Sequence, residues 1–347
     1  MTSDPVERFF MERAARLNRR ARLRVMTSSE VIDQAIRVYQ QLGLTFLKTS
    51  ILPTLLIVAA FAFVGDYIFP SLFTTQNASS LETQFSEVAF ATILAGLVGG
   101  TLVIIGVSVT SAIVTHLVSD FMLGNVPSSE GAIRAATRTV GTLIRVHFWE
   151  FLLGCGGLVA SLGLSILSSA LDQSTSQDNV VAGLIAVLAI GGFCVSGIIF
   201  LLVASRHALA APIAVLEGKG PRESAKRSAF LLKSSGRIPS GYGHVWSLFT
   251  VLFLVSMLVA GGLSGFLEVV GVQAYLSREL QNVPYGGLLD KAVGLIPMFL
   301  WIWAMVPVWS TSITIIYYDR RIRLEGYDIE ALAADVWRTD RQTRFEL

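Results

Sequence analysis

Charge is scarce in this sequence: Asp, Glu, Lys and Arg make up 15% of its 347 residues, where soluble proteins carry about 25%. With 53% hydrophobic residues and a mean hydropathy of +0.62, that scarcity argues against a soluble globular enzyme. Cysteine is nearly missing too. Cys155 and Cys194 each fall inside an apolar run, which leaves neither a disulfide framework nor a CxxC metal spacing; both are expected to be small packing residues. Neither HExxH nor GxxxxGK[ST] occurs, since GLVGGTLV and LEGKGPRES lack the spacing of a phosphate loop. A net charge of +2 is too balanced for a nucleic-acid binder selected by bulk charge. No nucleic-acid partner, cofactor, resident metal or catalytic residue set is therefore expected.

What the chain has instead is length without polarity. Six apolar stretches, near 50–72, 88–119, 147–171, 180–214, 245–272 and 290–317, are each long enough for a helix to cross a bilayer core of about 30 Å. They are apolar on both faces, unlike the alternating strands of a barrel. The sequence thus predicts an all-α polytopic membrane protein of six spans. Lys and Arg, retained on the cytoplasmic side during insertion, number 9 through Lys48, 3 near 120–145, 7 near 206–242 and 6 after Asp319, which is 25 of 27. The intervening loops hold only Arg278 and Lys291. Both termini are expected in the cytoplasm, and no secretory signal is recognised ahead of the first apolar run. The expected divisions are a basic amphipathic region 1–48, a transmembrane region 49–319 and a tail 320–347.

Residues 6–26 place Phe10, Ala14, Leu17, Ala21 and Val25 on one helical stripe, with Arg13, Arg16, Arg20 and Arg24 beside it. Such a helix suits an anionic leaflet; the alternative is a solvated basic lead that only enforces topology. Three similar segments, SSEVIDQAIRVY from Ser28, SSEGAIRAATRTV from Ser128 and PRESAKRSAFLL from Pro221, each precede two spans. A unit of one amphipathic helix and a helical pair is therefore expected three times, over 28–120, 121–216 and 217–319. Glu30, Glu130 and Glu223 read as first-turn acids, with Ser29, Ser129 or Asp328 available as N-caps.

The last span ends in TIIYYDRRIRLEGYDIEALAAD, residues 314–335. Its YYD, RxR and EGxD elements, with SSEVIDQAIRVYQQLG and AAPIAVLEGKGPRESAKRSAFLL, resemble the membrane domain associated with bacterial glycerophosphoryl diester phosphodiesterases and related standalone polytopic proteins. The resemblance implies a membrane module of the bacterial inner membrane. It does not bring the hydrolase activity, because the residues after Asp319 cannot contain a barrel of about 250 residues. At the end of a span, Tyr317 and Tyr318 suit an interfacial position, and Arg320, Arg321 and Arg323 suit lipid phosphates. Asp319 is expected to pair with one of these arginines or to cap the next turn.

One weak polar cluster stands out: His116, His147, His207 and His244 all fall near cytoplasmic span ends, and Glu150 lies one turn after His147. A metal or acid/base role would need all of them on one plane; interfacial hydrogen bonding is the plainer reading. The other acids in the spans, Asp66 and Glu268, lie near the outer ends, away from the midplane where ion-coupled transport would need them. GLVGG at 96 and GGLSG at 261 have the GxxxG spacing of close helix contacts, and Pro297 and Pro307 predict a kink in the sixth span. The functional expectation is a scaffold or accessory protein that organises anionic lipids and a membrane or cytoplasmic protein partner. The alternatives are a transporter or channel for a small solute and, third, a membrane-embedded lipid enzyme.

Overall fold

The computed structural model describes residues 23–73, 81–174, 180–233, 240–269, 275, 278–279 and 291–330. Among them all regular structure is helical: α1 (Ser28–Phe73), α2 (Leu81–Leu123), α3 (Ser129–Ser174), α4 (Val180–His207), α5 (Ala210–Leu216), α6 (Pro221–Leu232), α7 (Tyr242–Val269) and α8 (Ile296–Glu325). Among the described residues five stretches are long and apolar enough to cross a membrane: Ser28–Gly65, Gly96–Leu123, Gly183–Leu216, Tyr242–Val259 and Lys291–Glu325. Arg13, Arg16, Arg20, Asp66 and Glu268, together with the residues after Glu330, belong to expectations that lie outside the described residues or side chains.

Two of the expected amphipathic helices are not separate elements. The segments beginning at Ser28 and Ser129 continue without a break into α1 and α3, each of 46 residues, or about 69 Å at 1.5 Å per residue. That is more than twice the thickness of a hydrocarbon core, so each helix also builds a layer beyond it. Only the third copy, α6, is a short helix of its own, with Pro221 in its first turn.

The caps differ from expectation by one or two residues. Thr27 and Glu30 form a reciprocal capping box: the Thr27 N–H donates to Glu30 Oε2 at 2.8 Å, and the Glu30 N–H donates to Thr27 Oγ1 at 3.4 Å. Ser128, not Ser129, receives the Gly131 N–H. Helices α2, α5 and α8 end at or just before Gly124, Gly218 and Gly326, whose φ values are 75°, 66° and 65°. This left-handed region favours glycine, the only residue without a Cβ.

Helix α2 is central. It packs against α1 on one side, α3 on another and α8 on a third, and 56% of its most apolar window is buried, against 11% for the corresponding window of α4. Close approach depends on Gly99, Gly100 and Gly106, where a Cβ would meet Val64, Phe151 and the Pro53 carbonyl at 2.7, 2.8 and 2.7 Å. Of the two expected GxxxG motifs, GLVGG contributes through Gly99 and Gly100 although Gly96 faces open space, while GGLSG does not contribute, since Gly261 and Gly265 both face open space. Helices α2 and α8 run parallel, joined by Ser111–Ser310 at 3.4 Å, Thr115–Thr314 at 3.3 Å and Ser119–Tyr318 at 2.8 Å. Each pair sits four residues beyond the last, so the hydroxyls form a ladder along one helical edge.

The main core lies at one end of the bundle, where Phe46, Leu117, Met122, Leu143, Ile213, Leu231 and Ile315 meet. A smaller cluster of Ile57, Val58 and Ile302 lies farther along α1 and α8. On α4 and α7 the apolar side chains point outward, as at Leu184, Leu188, Phe193, Leu254 and Leu258. Cys194 is exposed there and is not the packing residue the sequence predicts; the side chain of Cys155 is outside the description. Pro297 sits in the first turn of α8 and begins the helix, while only Pro307 is internal.

Candidate functional site

The YYDRR segment lies inside the protein. Tyr317, Tyr318, Asp319 and Arg320 are at most 2% exposed, whereas the tyrosines and arginines were expected at lipid headgroups; Asp319 pairs with Arg323, one of the two alternatives expected for it. Their partners explain why. Asp319 Oδ1 accepts the Met26 N–H at 2.8 Å, and Oδ2 accepts from Arg323 Nε at 2.8 Å; Arg323 also donates to the Met26 carbonyl. Arg320 turns the other way and donates from Nε to the Leu231 carbonyl at 2.7 Å and from Nη2 to the Lys233 carbonyl at 3.2 Å. A carboxylate thus meets the chain entering α1, and a guanidinium caps the C-terminal carbonyls of α6, each with the sign the helix dipole favours. Arg320 passes over Gly241, where a Cβ would lie 2.8 Å from its Nε.

The other tail cations are occupied as well. Arg321 pairs with Glu325 at 3.0 Å, donates to the Tyr317 hydroxyl at 3.2 Å and stacks 4.0 Å from the Tyr327 ring centroid. Arg227 bridges Glu325 and Glu217, and Glu217 also meets Lys219 at 2.8 Å and the Tyr317 hydroxyl at 3.1 Å. Burial pushes the Glu217 carboxyl pKa up, but Lys219, Arg227 and Tyr317 outweigh it and hold it below the ordinary value. Arg24, expected on the lipid-facing N-terminal helix, pairs with Glu30 at 2.8 Å. The arrangement ties loop to loop and leaves little of this cluster for phosphate.

The five members of the weak polar cluster divide. His147, Glu150 and His207 line one cavity of about 270 Å³ among α2, α3, α4, α7 and α8. His116 does not line it. His244 sits instead with Ser28 Oγ 3.2 Å from its Nδ1 and Asp319 Oδ2 3.9 Å from its Nε2. Serine, histidine and aspartate in that order resemble a nucleophilic triad, but 3.9 Å is too long for a hydrogen bond, and Asp319 already serves Met26 and Arg323. The group is a structural clamp. Among the described residues no three His, Cys, Asp or Glu side chains come together as a metal site.

The cavity has two kinds of wall. Ser111, Thr115, Ser310, His147, Glu150 and His207 supply polar atoms, while Val107, Phe200, Phe249, Trp309 and Ile313 supply apolar surface. His147 Nδ1 lies 3.0 Å from Ser108 Oγ, and Glu150 Oε1 is 4.0 Å from His207 Nδ1. A second cavity, also about 270 Å³, shares His207 and is lined further by Val146, Trp149, Pro221, Arg222 and Ala225. The corner between α4 and α5 that carries His207 is sewn down by Ser228, which donates to the Arg206 carbonyl at 2.8 Å and accepts the Leu209 N–H at 3.2 Å. The spacing of His147 and Glu150 was readable as one turn of one helix; the arrival of His207 from α4 depends on the fold. Comparison with protein-family models, with curated proteins and with solved structures returns no match.

Proposed function

We propose that this chain is a six-span protein of the bacterial inner membrane, with both termini cytoplasmic, that acts as a scaffold or accessory subunit at the cytoplasmic face. The observation that carries the reading is the density of polar ties at the basic end of the bundle: Asp319, Arg320 and Arg323 bind the entry to α1 and the exit from α6. A platform fastened in this way keeps its surface shape. Partition of 25 of 27 basic residues to that side supports the orientation. Helix α3, continuous through the third apolar stretch near 147–171, which is not among the five above, supports six spans. Left-handed glycines at Gly124 and Gly218, each followed by the start of the next similar segment, support the three repeats read from the sequence. The proposed partners are anionic headgroups around the N-terminal basic region and a membrane or cytoplasmic protein.

Two measurements test this. Cysteines substituted at Ser79 and Ser176 should label from outside intact cells, and one at Ser129 only after permeabilisation. A photo-crosslinker at Ile133, exposed on the basic end of α3, should capture a protein partner that one at Leu258 does not. The second reading is a solute transporter, and the cavity around Glu150 favours it. Proton- or sodium-driven uptake by reconstituted vesicles, abolished by Glu150→Gln, would establish that reading and overturn the scaffold.

A further inference from the structure

The cavity around Glu150 combines one carboxylate with hydroxyl and imidazole groups that can accept as well as donate. Glu150 accepts no hydrogen bond from any described residue, and the His207 imidazole lies 4.0 Å away. Ser111, Thr115 and Ser310 add hydroxyl oxygens. Among the described residues no lysine or arginine lines the cavity. Its apolar wall is aromatic: Phe200 stands with Phe249 and Trp309, whose rings lie 4.6 Å apart between centroids. Aromatic faces carry negative charge density and attract cations, most strongly where water is excluded. An ionised carboxylate without a donor is costly in such surroundings, whereas a ligand bearing positive charge would offset that cost.

We propose that this cavity binds a small organic ammonium ion, with Glu150 as its counter-ion and Phe200, Phe249 and Trp309 as its aromatic wall. The volume of about 270 Å³ is roughly nine times the share of one water in the liquid, so it exceeds what a bare ion needs and suits a molecule of several heavy atoms. A carboxylate of similar size would meet Glu150 as a like charge. Two sources supply the same chemistry: a free amine, or the headgroup of an aminophospholipid. The neighbouring cavity that shares His207 holds Arg222 and Trp149, a cation and an amphipathic ring suited to a lipid phosphate. If the ammonium belongs to a lipid, its phosphate falls on the Arg222 side. This inference is independent of the scaffold reading, because binding needs no passage through the bundle.

The test uses the full chain in an uncharged detergent, with ethanolamine, choline and propionate titrated calorimetrically, and the chain in nanodiscs with and without phosphatidylethanolamine. Ethanolamine or choline should bind and propionate should not. Glu150→Gln should weaken the amine by about tenfold or more, and Phe249→Ala should weaken choline more than ethanolamine. Because Glu150→Gln also alters a buried group, Phe249→Ala provides a second, uncharged variant whose helicity and unfolding temperature are checked beside it. Arg222→Gln should leave the free amines unchanged and weaken only the lipid; binding seen solely in nanodiscs, and lowered by both Glu150→Gln and Arg222→Gln, assigns the lipid source. Equal binding of propionate, affinity unchanged in both Glu150→Gln and Phe249→Ala, or no binding of any of these probes would overturn the proposal.

Discussion

The two ends of the helical bundle are held by different physics. At the basic end, serine and threonine hydroxyls, Asp319 and Arg320 are buried together with the main apolar core, as in a protein folded in water. Along the far half of α4 and α7, the apolar side chains face outward and leave their burial to the membrane. In lipid there is no hydrophobic gain from bringing such faces together. The basic end should therefore be stable and specific in its own contacts, while the far half should tolerate substitution and depend on its solvent.

The largest effect expected is at Asp319. Asp319→Ala removes the counter-ion of Arg323 and the acceptor of the Met26 N–H, a loss of about 3–5 kcal/mol for a broken buried pair. Leu258→Ala, at a side chain 75% exposed on α7, should change stability by less than about 0.5 kcal/mol in the same detergent. Thermal unfolding of the two variants measures the contrast, and equal losses would erase it.

Next comes the pair of glycines. Gly241→Ala drives a methyl into the Arg320 side chain and should cost about 1–3 kcal/mol by overpacking. Gly261→Ala, facing open space on α7, should be neutral or stabilising by less than about 1 kcal/mol. A smaller effect belongs to the hydroxyl ladder. A double-mutant cycle of Ser119→Ala with Tyr318→Phe should give a coupling of about 0.5–1.5 kcal/mol, and a coupling of zero would remove the ladder from the account of the basic end.

The smallest is a dependence on pH. The Glu217 carboxyl pKa lies below the ordinary 4.5, so its contribution to stability is fully present above 4.5 and is lost as the pH falls through the lower folded-state value. Wild type should lose stability in acid more steeply than Glu217→Gln, and the two curves should run parallel above pH 5. Parallel curves throughout would detach Glu217 from the network that joins it to Lys219, Arg227 and Tyr317.

The helical class and the positions of the apolar runs were legible in the sequence because hydropathy over about 20 residues is a local property. The burial of YYDRR was not. A tyrosine pair followed by arginines reads the same whether the next surface is a leaflet or a protein, and what decides is the Met26 N–H and the Leu231 carbonyl, 293 and 89 residues from their partners in the chain. The histidines were visible but their grouping was not, since only the fold brings His207 to His147 and leaves His116 and His244 elsewhere. One signal was present and unread. Hydroxyl residues recur every fourth position at 111, 115 and 119 and again at 310, 314 and 318, which on two parallel helices is the pattern of a shared seam.

That seam also quantises motion. Its three pairs keep a constant offset of 199 residues, so α8 cannot slide along α2 by a fraction of a turn without separating all of them at once. The next position that restores partners lies four residues away, about 6 Å at 1.5 Å per residue, where Ser111 would face Thr314 and Thr115 would face Tyr318. At intermediate positions the cross-helix pairs are lost, and Thr314 keeps only its bond to the Ser310 carbonyl in its own helix. Two helices joined in this manner behave as a toothed rack, with discrete stops and no smooth travel between them.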